Sequence, residues 1–195
     1  MDGAPASVSW RDWLPLSWQP GPPDHDGEHL GEQNLRVLRA CAALEERPAE
    51  PVDEKDPQQL ERQRLHDKLN LVLDLLGQVL AASRPPPPAR SVCLTREGAQ
   101  WRAAAAELPP EGQAGVLALH LNPCVPQPLR LRATVRRVQT GDGLVEVQFE
   151  DAGESVAAAL ERHVFRHHRR AVAESRRAQA CVPADANGFT VPGQV

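Results

Sequence analysis

Leu129-Arg130-Leu131-Arg132-Ala133-Thr134-Val135-Arg136 decides the fold. Apolar side chains take every second position, and in an extended chain that period puts them on one face and the arginines on the other. The stretch reads as a half-buried antiparallel strand. Thr140-Gly141-Asp142-Gly143 follows, with glycines that tolerate positive φ, and beyond it Val145, Val147 and Phe149 alternate with Glu146 and Gln148. Two such runs about one turn make a hairpin. Upstream, Leu117, Leu119 and Leu121 supply a third apolar face that ends at Asn122-Pro123, and Pro126 and Pro128 lead into the next strand. A short run from Val92 to Gly98 precedes them. Several short antiparallel strands joined by Gly/Pro turns indicate a small barrel or sandwich.

From Gly153 the period lengthens. Val156, Leu160, Val164, His168 and Val172 recur in steps of four, as on one apolar face of a helix. The other positions are basic, with six arginines against two glutamates between Glu161 and Arg177. His163, His167 and His168 fall within this run and are expected on a solvated cationic surface, where guanidinium groups repel a metal ion.

The segments before the strands read as attachments. Trp10, Trp13 and Trp18 lie in an apolar extended segment too large to leave in water, expected to dock on the sheet as an edge strand or arm. A helix from Glu28 to Arg47 carries Leu30, Leu35, Leu38 and Cys41 and stops at Pro48; an acidic linker follows to Pro57. The next helix, about Gln58 to Ser83, has Leu65, Leu69, Val72, Leu76 and Val79 spaced 4-3-4-3, the a/d pattern of a coiled coil. Leu73, Leu75 and Leu80 widen that stripe enough to bury more than one neighbour, as in a bundle. Pro85 to Pro88 form a stiff spacer that holds the helix away from the strands. Association between copies is therefore the favoured reading, and packing within one chain the other. Val182 to Val195 lacks any period and reads as a disordered tail. The expected units are 1–26 (arm), 27–84 (helical oligomerisation region), 89–178 (strands and basic helix) and 179–195 (tail).

Composition narrows the function. The 195 residues suffice for one sizeable core, and no apolar run approaches the roughly 20 residues that span a bilayer. The N-terminus has no basic region followed by an apolar one, so a cytoplasmic location is expected. Cys41, Cys93, Cys124 and Cys181 are scattered without a C-x-x-C pair, which implies reduced thiols and no metal site. Neither a phosphate-cradling glycine loop nor a nucleophile elbow occurs, so no enzymatic activity and no cofactor are expected. The net charge of −4 and the lack of aromatics between the arginines argue against nucleic acid. Smaller anions fit better. Arg84, Arg90, Arg96 and Arg102 lie near the start of the strands, Arg130, Arg132 and Arg136 project from one strand face, and guanidinium groups suit phosphates and guanine edges.

The order Leu94-Thr95-Arg96-Glu97-Gly98-Ala99, then strands, then Glu161-Arg162-His163-Val164-Phe165-Arg166-His167-His168-Arg169-Arg170 resembles a PilZ domain. In that bacterial family a six-stranded barrel binds cyclic di-GMP through R-x-x-x-R and [D/N]-x-S-x-x-G motifs, and a basic helix often follows. Here Cys93 stands at the Asp or Asn position and Thr95 at the Ser position, Gly98 is kept, and no R-x-x-x-R precedes the turn. With Leu14-Pro15-Leu16-Ser17-Trp18 and two helices ahead of the barrel, the layout resembles the atypical, tetrameric-type PilZ group from Trp10 to about Arg177. The resemblance implies an α+β fold: a small antiparallel PilZ-like barrel with a C-terminal helix, preceded by helices that include a long heptad-bearing one. It implies a non-enzymatic cyclic di-GMP receptor with degenerate ligand motifs, its ligand near Arg90, Thr95, Arg96, Gly98, Arg130 and Arg132. Leu65, Leu69, Val72, Leu76 and Val79 would join copies, as a tetramer. The alternative is an oligomeric scaffold that docks a protein partner and binds no nucleotide.

Overall fold

Among the described residues six stretches, most of them alternating, form strands: β1 (Trp10–Pro20), β2 (Ala89–Leu94), β3 (Gly98–Arg102), β4 (Ala114–Leu119), β5 (Leu129–Gln139) and β6 (Leu144–Phe149). A computed structural model describes residues 8–21, 27–45, 57–83 and 85–180, so the expected tail, the acidic linker and Arg84 lie outside the described residues. The strands close into a barrel in the order β1-β2-β3-β6-β5-β4, every neighbouring pair antiparallel. β1 was expected to dock as an edge strand or an arm. Instead it pairs with β2 through its first half and with β4 through its second, and so closes the barrel. Closure leaves no row of unpaired backbone groups on any strand, which removes the hazard of an open edge.

The interior is aliphatic with two indoles. Leu129, Leu131, Ala133 and Val135 of β5 are buried, as their alternation requires, together with Leu94, Trp101, Leu117 and Val145 from the other strands. Trp18 leans toward Trp101 with ring centroids 6.2 Å apart and donates its Nε1–H to Gln113 Oε1 at 3.3 Å. Gly115 makes room for that indole, since a Cβ there would lie 2.6 Å from the Trp18 ring.

One irregularity matters for the site. Pairing of β5 with β6 steps from Val135↔Val147 to Arg137↔Glu146, so Arg136 is the extra residue of a bulge. Bulges re-aim a side chain, and this one separates Arg136 from Arg130 and Arg132.

The described residues also form three α-helices: α1 (Gly27–Glu45), α2 (Pro57–Ser83) and α3 (Glu154–Ala180). Val37, Leu38 and Cys41 of α1 are buried, and so is a polar residue, Asn34. Its amide clamps the barrel: Nδ2 donates to Arg130 O at 2.7 Å, and Oδ1 accepts from Arg130 N at 2.9 Å. Pairing of β5 with β6 begins only at Ala133, so Arg130 lacks a strand on that side and Asn34 supplies the missing partner. α3 packs on α1 and on β1 through Val156, Leu160 and Val164.

His163 corrects an expectation. It was placed on a solvated cationic face, yet it is 2 % exposed, and the His167 side chain, stacked on Trp10, is only 17% exposed. Steps of four overshoot a helical turn by about 40°, so the buried stripe drifts from Val164 toward His163 and His167 and away from His168.

α2 stands apart. Its stripe residues Leu65, Leu69, Val72, Leu76 and Val79 are all more than half exposed, as are Leu71 and Leu75 beside them. Near its end Gly77 approaches the β4–β5 connection, where a Cβ would come within 3.2 Å of Pro123 O. Among the described residues no helix is long and apolar enough to cross a membrane.

Candidate functional site

The turn between β2 and β3 is built around one hydroxyl. Thr95 Oγ1 accepts from Glu97 N at 3.2 Å and Gly98 N at 3.0 Å, and donates to Gly98 O at 3.1 Å. Thr95 N also donates to Gly98 O at 2.9 Å. The hydroxyl's donor and both its lone pairs are thereby used within the turn, so Thr95 has no hydrogen-bonding capacity left to offer outside it. Gly98 is required by space: a Cβ would fall 2.3 Å from Val147 O of the neighbouring strand.

Three shallow grooves meet around this turn. The first, about 300 Å³, is lined by Cys93, Thr95, Gly98 and Gln100 with Arg136, Glu146 and Gln148. A second of about 340 Å³ lies where α1 meets the barrel, with Asn34, Arg130, Arg132, Glu150 and Asp151. The third, about 410 Å³, has Arg96, Glu97, Gln148, Glu150 and Asp151 on its walls. Glu97 and Gln148 line the first and third, Glu150 and Asp151 the second and third, so the grooves form one continuous surface.

Of the six residues expected to hold a ligand, five are distributed over this surface rather than clustered, and Arg90 is not on it. Thr95, Arg96 and Gly98 sit at the turn. Arg130 and Arg132 face the second groove, where Arg130 Nη2 donates to Gln19 Oε1 at 3.2 Å and Arg132 Nε is buried without a hydrogen-bond partner. Arg90 is remote from the turn: its guanidinium pairs with Glu107 and donates to Arg102 O at 3.1 Å, at the other end of the β2–β3 hairpin. Arg96 reaches across to α3 and pairs with Glu161 at 3.0 Å. Arg136 crosses to β6, where its Nε donates to Gln148 Oε1 at 2.7 Å.

Charge on the surface is mixed. Cys93 offers a thiol in place of a carboxylate or amide acceptor, and Glu97, Glu146, Glu150 and Asp151 oppose an anion. The positive charges on this surface are Arg96, Arg130, Arg132 and Arg136. Gln148 and Asp151 were not anticipated as lining residues; their placement depends on β6 ending beside the turn, where Phe149 N donates to Glu97 O at 2.8 Å.

The chain belongs to the atypical PilZ domain family, described as cyclic di-GMP receptors, whose model matches residues 38–177. It is similar to a crystal structure of a pathogenic protein from Xanthomonas campestris, a tetrameric PilZ domain self-assembled through a helical bundle. That likeness has a TM-score of 0.64 at 25% sequence identity and covers 86% of this chain and 92% of the other. No curated protein sequence matches this chain.

Proposed function

We propose that this chain is a non-catalytic, cytoplasmic regulator in cyclic di-GMP signalling. It receives the nucleotide on the outer face of the barrel and joins copies of itself, as a tetramer, through α2. The observation that carries the reading is the Thr95–Gly98 turn, which opens onto the continuous groove surface flanked by Arg96 and Arg136. Oligomerisation is supported by the exposed stripe of α2 and by the helical bundle of the similar tetrameric protein. A second reading, an oligomeric scaffold that docks a protein partner without nucleotide, is favoured by the acidic groove walls and by Arg90, Arg96 and Arg130 already having partners.

Isothermal titration with cyclic di-GMP separates the two. A receptor gives saturable heat, weakened about tenfold or more in Arg96→Ala and in Arg136→Ala, roughly one charge-assisted contact each. Arg90→Ala leaves the affinity unchanged. Absence of saturable heat from the folded wild-type chain rejects the receptor and leaves the scaffold.

A further inference from the structure

We propose that Glu45, His163 and His167 form a binding site for a divalent transition-metal ion of the zinc type, joining α1 to α3. One oxygen of Glu45 and one nitrogen of each imidazole lie within 4.8 Å of one another. His163 and His167 are one turn apart on α3, so both rings project to the same side, and Glu45 meets them from the end of α1. Two imidazoles and a carboxylate are the borderline donor set that zinc and its neighbours prefer. Bonds of about 2.1 Å in a tetrahedral site put donors about 3.4 Å apart, so a contraction of at most about 1.4 Å from the 4.8 Å limit closes the cluster.

The decisive feature is His163. It is 2 % exposed, and neither ring nitrogen has a hydrogen-bond partner. A buried polar group left unpaired requires an explanation. A proton shared between Glu45 Oε1 and His167 Nε2 accounts for their 3.0 Å contact, yet it does nothing for His163. An ion placed among the three donors satisfies His163 as well. Trp10 holds both rings in position. Its indole stacks on His167 at a centroid distance of 4.1 Å and an interplanar angle of 24°, and meets His163 edge-on at 5.2 Å and 76°.

The surrounding charges set the affinity. Arg166 Nη1 holds Glu45 Oε2 at 3.1 Å, Arg170 Nη1 lies 3.7 Å from the same oxygen, and Arg170 Nη2 donates to Glu45 O at 2.8 Å. Arg166 thereby holds Oε2, leaves Oε1 facing His167, and orients the carboxylate, the part that outer partners of metal ligands play. The two guanidinium groups also repel a cation, so binding is expected in the micromolar range rather than tighter. Cys41, one turn before Glu45, is not among the donors that lie within 4.8 Å of one another.

The test uses the full untagged chain after dialysis against chelator, titrated with Co²⁺ and followed by visible absorption, then with Zn²⁺ in competition. One ion per chain with the d–d bands of bound cobalt is expected. Affinity should fall at least tenfold in His163→Leu, whose side chain fills the same buried space, and in the partly exposed His167→Ala. Replacing His66 or His168 by alanine should change nothing. Absence of saturable binding in the wild type overturns the proposal. So does binding that persists undiminished in His167→Ala or in a folded His163→Leu, because the ion would then sit elsewhere.

Discussion

Carboxylates placed in the α2 stripe test whether it joins copies. The five a/d residues are each more than half exposed in the single chain. Full burial of such a side chain contributes about 1.5–3 kcal/mol, so covering the exposed half is worth about 1 kcal/mol per residue and about 5 kcal/mol per helix. Two facing helices then contribute about 10 kcal/mol against an association cost of roughly 4–15 kcal/mol, which suffices for a specific contact only if the whole stripe takes part. Leu69→Asp with Leu76→Asp removes about 2 kcal/mol per helix, or about 4 kcal/mol per helix pair, and the dissociation constant rises about 10³-fold. Desolvation of the new carboxylates enlarges that figure. Light scattering and sedimentation equilibrium across a concentration series should show the wild type heavier than one chain and the double variant reduced toward monomer. Lys68→Ala, on the same helix but outside the stripe, should leave the mass unaltered. A monomeric wild type at every concentration, or a double variant of wild-type mass, would refute the reasoning.

Two further outcomes follow from the fold. In chelator, His163 stays neutral in the folded chain because burial, then His167, push it down to about 4 against the influence of Glu45, with Arg166 and Arg170 acting in the same direction as His167. The unfolded chain binds that proton more readily, so stability is complete above about pH 6.5 and lost as pH falls toward 4, by about 3 kcal/mol in all. Urea midpoints at pH 7 and pH 5 should converge in His163→Leu, and an equal pH slope in both proteins would count against the buried imidazole. Gly98→Ala should destabilise the ligand-free barrel by roughly 1–3 kcal/mol, because the added methyl meets the Val147 carbonyl oxygen at 2.3 Å. A melting temperature equal to wild type would mean the backbone yields there at no cost.

Strand alternation carried most of the barrel. Leu129, Leu131, Ala133 and Val135 are buried as their period requires, as are Val145 and Val147 of β6 and Leu117 and Leu119 of β4, because side-chain direction in a strand is a local property. What lies next to each strand is not local. Nothing in Trp10 to Pro20 encodes pairing with residues about a hundred positions away, so β1 was read as an edge strand or an arm although it lies between β2 and β4. The bulge did leave a trace: Arg136-Arg137 puts two polar residues together, and Val135 and Val138 are three apart rather than two. Thr95, Arg96 and Gly98 could be found because a turn motif is contiguous, whereas their grouping with Gln148 and Asp151 arises only when β6 ends beside the turn. Glu45, His163 and His167 come from two helices more than a hundred residues apart, and the step-of-four reading of α3 moved the histidines to the wrong face.

The arginines differ in how readily a ligand can recruit them, and their present partners decide the order. Closure and the buried Leu94, Trp101, Leu117 and Val145 fill the barrel, so a nucleotide must lie outside it. Each outer groove, at about 300 to 410 Å³, lies at the small end of ligand sites, and a ligand with two bases and two phosphates has to extend across the shared walls. In the Arg96–Glu161 pair both side chains are about half exposed, at 51% and 55%, and such pairs contribute about 0–1 kcal/mol. A phosphate can therefore displace Glu161 at little cost. Arg136 has only a neutral amide, Gln148, as its partner and is equally free to turn. Arg90, at 18% exposure, is held by both Glu107 and a backbone carbonyl, so moving it would strand a largely buried guanidinium. On the proposed reading, recognition falls to the exposed, weakly paired arginines beside the turn, while Arg90 stays with its present partners.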